Sequence, residues 1–188
     1  MTAPAGGAGG MRAVVEEEAA GVGVGLWSAA VGSIALAVAG IVGLALKQPW
    51  LFPSLGLTLM VIVETPRQPA ANPRSVLVGH LVGISAGYVA LIVTGLTDAP
   101  PVIQEGLTTP RLVAGVMSVA LTAFFLQAIR CPHPPAGATT LIVSLGLIAR
   151  PPQLLTMALS VLLITVIAVA LNLLTGVRQA GMREPRPK

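Results

Sequence analysis

Charge is what this chain has least of: Asp, Glu, Lys and Arg together make 10% of its 188 residues, against 54% hydrophobic. The few charges lie almost entirely outside a handful of long apolar runs. This excludes a soluble domain with a core of its own and marks an integral membrane protein, with any chemistry in or at the bilayer. Cysteine is nearly absent. With Cys131 alone, neither an internal disulfide framework nor a multi-thiol metal site can form, and Cys131 with His133 is too sparse a pair to hold a metal. No paired carboxylates, and no nucleophile with its base, lie within the apolar runs, and Glu64 is the only acid bordering a short one; an enzyme is therefore not expected, and no cofactor. The net charge of +4 does not point to nucleic acid, because the basic residues flank apolar runs and do not cluster with the sparse aromatics (3%) on one face.

What is present is a proline-dense decapeptide, Cys131-Pro132-His133-Pro134-Pro135-Ala136-Gly137-Ala138-Thr139-Thr140, between two apolar runs. Each proline lacks an N–H and clashes with the preceding helical turn, so a helix arriving from Arg111 must stop here. A new helix can start with Pro134 or Pro135 in its first turn, where a missing N–H costs nothing.

Taken in order, residues 1–20 are Gly/Ala-rich with Glu16, Glu17 and Glu18, and read as a disordered tail without a signal peptide. Gly21 to Leu46 runs 26 residues without a charge, beyond the ~20 needed to span a bilayer. Pro53 opens a shorter run to Val63, only ~17 Å long as a helix. Ser75 to Leu96, Leu112 to Ile129 and Leu154 to Gly176 are three further spans, with a short run from the decapeptide to Ala149 before the last. Residues 21–176 form one transmembrane domain, and 177–188 a basic C-terminal tail. The expected fold is an all-α polytopic membrane protein: four long transmembrane helices plus two short proline-entered ones. Pro53-x-x-Gly56-x-Thr58 matches Pro134-x-x-Gly137-x-Thr139, and both halves read long, short, loop, long, which suggests an internal repeat.

The positive-inside rule tests whether the short helices cross. If they re-enter, basic residues divide nearly evenly. If they cross, Arg12, Arg67, Arg74, Arg130, Arg178, Arg183, Arg186 and Lys188 share one side, against Lys47, Arg111 and Arg150. Crossing is favoured. It gives three crossings per half, an inverted repeat, both termini cytoplasmic and broken-helix ends near mid-membrane, where transport sites sit.

A helix N-terminus offers N–H groups and partial positive charge to a small anion. The candidate donors are the N–H groups of Ala136, Gly137 and Ala138 with the hydroxyls of Thr139 and Thr140, and the region of Gly56 and Thr58 in the first half. His133 can donate to an anion, carry a proton, or simply cap the loop. His80, inside a span, is a functional candidate by default or else an interhelical hydrogen-bond partner. Gly79, Gly83 and Gly87 make a face for close helix packing, within one chain or in a homo-oligomer. The expected partners are a small inorganic anion and the lipid bilayer. The rival reading is a non-transporting scaffold or assembly subunit whose decapeptide is only a hinge.

The stretch His133-Pro134-Pro135-Ala136-Gly137-Ala138-Thr139 resembles the signature of the HPP family of small integral membrane proteins. Asn72-Pro73-Arg74 followed by Gly79-His80-Leu81 is similar to the family's Gln-Pro-Arg and Gly-Gly-His, with Asn72 and Val78 departing. Pro53 to Thr58 is a looser match. The resemblance covers Pro49 to Gly176, and family members are usually described with four spanning helices. Some, in cyanobacteria and chloroplasts, are implicated in nitrite transport. The resemblance therefore implies an anion transporter or channel with nitrite as leading substrate; the expected location is a bacterial plasma (inner) membrane.

Overall fold

The computed structural model describes residues 8–182. Every regular element among them is helical: α1 (Ala8–Leu46), α2 (Pro53–Glu64), α3 (Pro73–Thr94), α4 (Val102–Glu105), α5 (Thr109–Ala128), α6 (Pro135–Ser144) and α7 (Pro151–Leu174), with a 3-10 turn at Pro69–Ala71. Gly21–Leu46 of α1, and the whole of α3, α5 and α7, are long and apolar enough to cross a membrane. Helix replaces the expected disorder from Ala8 onward, in a segment rich in alanine and glutamate, which favour helix. Residues 1–7 and 183–188, the outer parts of both expected tails, lie outside the described residues.

Proline sets where the helices begin. It stands in the first turn of α2, α3, α5, α6 and α7. There its missing N–H breaks no intrahelical bond. The stops before the two short helices are less usual. Lys47 and Arg130, just past α1 and α5, take left-handed backbone with φ 52° and 54°. For residues with a Cβ this costs about 1–2 kcal/mol, and it turns the chain back into the bundle.

The ends of the elements fix their directions. At one end of the bundle, Trp27 Nε1 donates to Asn172 Oδ1 at 3.0 Å, Ser28 Oγ to Glu64 Oε1 at 2.9 Å, and the Ala180 N–H to the Pro66 carbonyl at 2.8 Å. The spanning part of α1 therefore starts where α2 and α7 finish. At the other end, Arg111 donates to the Ser144 carbonyl and the Val102 N–H to the Leu145 carbonyl, so α5 starts where α6 finishes. The segment before α2 lies deep: Ser160, mid-way along α7, donates to the Trp50 carbonyl at 2.9 Å. Each short helix thus starts inside the bundle and continues to the end opposite the one its extended approach left. Counted with their extended approaches, the two short helices add two passes along the bundle to the four helices that are long and apolar enough to span a membrane.

The glycine face of α3 receives α6 of the same chain. A Cβ added at Gly79 would stand 2.7 Å from the His133 Cβ, at Gly83 2.7 Å from the Ala136 carbonyl oxygen, and at Gly87 2.7 Å from the Val143 Cβ. No methyl fits at such distances without moving backbone. The core, with Leu55, Ile62, Met157 and Ile164 fully buried, lies where α1, α2 and α7 meet, while long apolar side chains such as Leu44, Val93 and Phe124 face outward as lipid contacts.

Two outcomes check this architecture. Gly83→Leu drives a branched side chain into the α6 backbone and lowers stability by at least the about 1–3 kcal/mol typical of overpacking, read as thermal unfolding in detergent. With Cys131, 1% exposed, replaced by alanine, single cysteines at Lys47 and Gln68 label from opposite sides of a sealed vesicle. Same-side labelling would make α2 re-entrant.

Candidate functional site

A cluster of two imidazoles and two hydroxyls lies between the broken helices. His80 comes from α3, about 10 Å from the start of a helix about 33 Å long at 1.5 Å per residue. His133 comes from the extended segment before α6, held there because Gly79 has no Cβ. Each is 1% exposed. Their Nε2 atoms are 3.2 Å apart and the rings meet edge-on, with centroids separated by 4.9 Å. Thr58 of α2 lies 2.8 Å from His80 Nε2, and Thr139 of α6 lies 2.7 Å from His80 Nδ1. The two matched threonines thus grip the same ring from opposite sides.

The hydrogen bonds close as a neutral network. The Thr58 hydroxyl donates to the Ser54 carbonyl at 2.9 Å, so its oxygen is free to accept from His80 Nε2–H. His80 Nδ1 then carries a lone pair and accepts from the Thr139 hydroxyl. His133 Nδ1–H donates to the Ala70 carbonyl at 2.9 Å, which leaves a lone pair on its Nε2 facing His80 and, at 3.4 Å, Thr58. This proton assignment follows from donor and acceptor capacity. Every hydrogen bond the rings make goes to a hydroxyl, a carbonyl or the other ring.

A cleft of about 230 Å³ reaches His133, lined also by Thr122, Gln127, Pro134 and Gly137. A second, of about 240 Å³, reaches His80 between Leu77 and Leu81 of α3 and Ala158 and Val161 of α7. The touching rings stand between them. Ser54 Oγ, one turn before Thr58 and fully buried, has no hydrogen-bond partner.

The structure treats the other sequence candidates differently. The N–H groups of Ala136 and Gly137 are not free donors, since they close turns onto the carbonyls of His133 and Pro134, both at 3.0 Å. Thr140 donates to the Ala136 carbonyl at 2.9 Å and meets Thr122 of α5 at 2.8 Å, tying α6 to α5. Gly56 and Gly137 each stand two residues before a matched threonine, about 200° around the helix at 100° per residue, and both have open space beside their Cα. Gly137 lines the His133 cleft; Gly56 does not join the cluster, and Ala138 is half-buried away from it. Sequence reasoning missed Arg111. Read as a flanking charge, it is 2% exposed and donates to the carbonyls of Ser144 (3.3 Å) and Pro100 (2.7 Å), capping the buried end of α6. Asn172 does the same for α2, its Nδ2 donating to the Ile62 carbonyl at 3.1 Å. An Asn near the end of an apolar run was visible in the sequence, but its partner 110 residues away was not.

A family model described as HPP, transmembrane region, matches residues 17–181. Two proteins of Dictyostelium discoideum named only as transmembrane proteins are similar over part of the chain. One is 29% identical over 97 residues, 52% of this chain and 30% of its own length; the other is 28% identical over 93 residues, 50% and 27%. The chain thus aligns with less than a third of either relative. No solved structure matches.

Thr139→Val removes the hydroxyl that serves His80 Nδ1 and leaves a buried acceptor unpaired. The expected loss is about 1–3 kcal/mol, measured by chemical or thermal unfolding. Thr139→Ser, which keeps the hydroxyl, should recover most of it.

Proposed function

The chain belongs to the HPP family of integral membrane proteins, and from that premise we propose that it is a transporter or channel for a small monovalent anion, with nitrite the leading substrate. The observation that carries this reading is the His80–His133–Thr58–Thr139 cluster. Four polar side chains, from α2, from α6 and its approach, and from the spanning helix between them, are buried together, with Ser54, Thr122 and Thr140 buried beside them. Polar groups are expensive there and are kept where a solute passes. The hydroxyls and imidazole N–H groups are donors of the kind a nitrite oxygen accepts when they exchange their present partners for it, and Ser54, one turn before Thr58, has a hydroxyl without a partner. We place both termini in the cytoplasm of a bacterial inner membrane on the distribution of basic residues, since Arg67, Arg74, Arg130 and Arg178 follow traverses that end on one side. No chemical conversion of the substrate is proposed.

The scaffold reading loses its chief support. The glycine face on which a partner helix would have packed is filled by α6, and the decapeptide delivers His133 into the cluster as well as turning the chain.

The test is flux into liposomes holding the purified protein, beside empty liposomes, with nitrite, formate and chloride. Selective flux above the empty control is expected, falling in His133→Ala. Gly137→Val should also reduce it while leaving the fold intact, because a Cβ there meets no atom within 4 Å and Gly137 lines the His133 cleft. No flux of any anion from folded protein would return the scaffold to first place.

A further inference from the structure

The polar step between the two clefts carries no fixed positive charge. Among the described residues, the polar partners of His80 and His133 are each other, the hydroxyls of Thr58 and Thr139, and the Ala70 carbonyl. The elements around them add no cation: α2 brings Ser54 and Thr58, α5 brings Thr122 through Thr140, and α6 brings Thr139. Arg74 and Arg130 are exposed. Arg111 is buried but sits on the Ser144 carbonyl at the far end of α6, about 15 Å of helix from Pro135. An anion entering this place would lose its water and find only neutral donors. Neutral donors offset part of that loss, and an unpaired buried charge is the most expensive of the options.

The imidazole pair can remove the charge. In the neutral network His133 Nε2 holds a lone pair directed at its neighbour. One added proton there faces the His80 N–H across 3.2 Å, so the rings move apart or His80 shifts its own proton to Nδ1, where the Thr139 hydroxyl can accept it. The same proton converts the septum between the clefts into an imidazolium able to meet an anion.

We propose that the His80–His133 pair is a proton-binding site that couples transport to one proton per anion, so that the substrates are anions of weak acids. The inference rests on the anion-transport reading and deepens it. A proton arriving from the cleft adds to the ring nitrogen lone pair, the imidazolium pairs with the anion, and the N–H proton passes to an anion oxygen. The N–H bond breaks as the O–H bond forms. The ring returns to its neutral state as the neutral acid departs, and the acid sheds its proton on reaching water. Nitrite and formate suit this step. Nitrate and chloride, whose conjugate acids are strong, do not.

The full chain in liposomes tests it, with a potassium ionophore setting the membrane potential, an internal pH dye, and empty liposomes subtracted for passive passage of the neutral acids. Flux of nitrite and formate is expected to ignore the imposed potential and to acidify the interior by one proton per anion. It should exceed that of nitrate and chloride by at least about tenfold, a small part of the penalty for burying an unpaired ion. His133→Gln and His80→Gln, which keep hydrogen-bonding capacity but cannot hold the proton, should lose the acidification. Wild-type flux that follows the potential without acidification, or that passes nitrate and chloride as fast, would overturn the coupling while leaving anion transport standing. Absence of any flux would remove both. The wild-type measurements decide the matter even if the variants misfold.

Discussion

A helix end shut away from water leaves backbone N–H and C=O groups that only protein can serve, and the rest of this structure follows from satisfying them. The carbonyl at the end of α2, Ile62, is met by the amides of Asn172 and Gln179; that at the end of α6, Ser144, by Arg111. The deep approach to α2 is held by Ser160 on the Trp50 carbonyl. At the start of α6, Ala136 and Gly137 turn back onto the carbonyls of His133 and Pro134. Proline reduces the demand at each helix start by removing donors that would otherwise need partners.

These obligations locate the polar cluster. The first turn of α6 must come close to α3 for its residues to be buried, and the three glycines let its backbone do so. That contact sets the height at which Thr139 meets His80 and at which His133 lies over Gly79. Thr58 then reaches the same ring from the other short helix. Packing and hydrogen bonding are therefore one arrangement here. A substitution at Gly83 or Gly87 that loosens the glycine seam separates the imidazoles even though it touches neither.

Much of the fold was legible because its causes are local. Uninterrupted apolar length marked the four spans, and proline marked the helix starts. The glycine spacing announced a close contact but not its occupant, since α6 is half a membrane long and carries no pattern naming a partner. The left-handed stops at Lys47 and Arg130 left no trace, because neither is the glycine or asparagine that usually takes such backbone. In the site, His80, His133, Thr58 and Thr139 were each identifiable singly. The free amides were misplaced because turn geometry, which consumes them, depends on the backbone at Pro134, already helical at φ −52° and ψ −37°. Arg111 was hidden by its neighbours: a charge beside an apolar run looks the same whether it faces headgroups or a helix end.

The capping of Ile62 has a bearing on biogenesis. Its two partners lie 110 and 117 residues further along the chain. A ribosome delivers the N-terminal half first, so the Ile62 carbonyl waits without them until α7 and the turn after it have been made. Until then that carbonyl, close to one end of the bundle, is served by water or by the insertion machinery in place of the two amides.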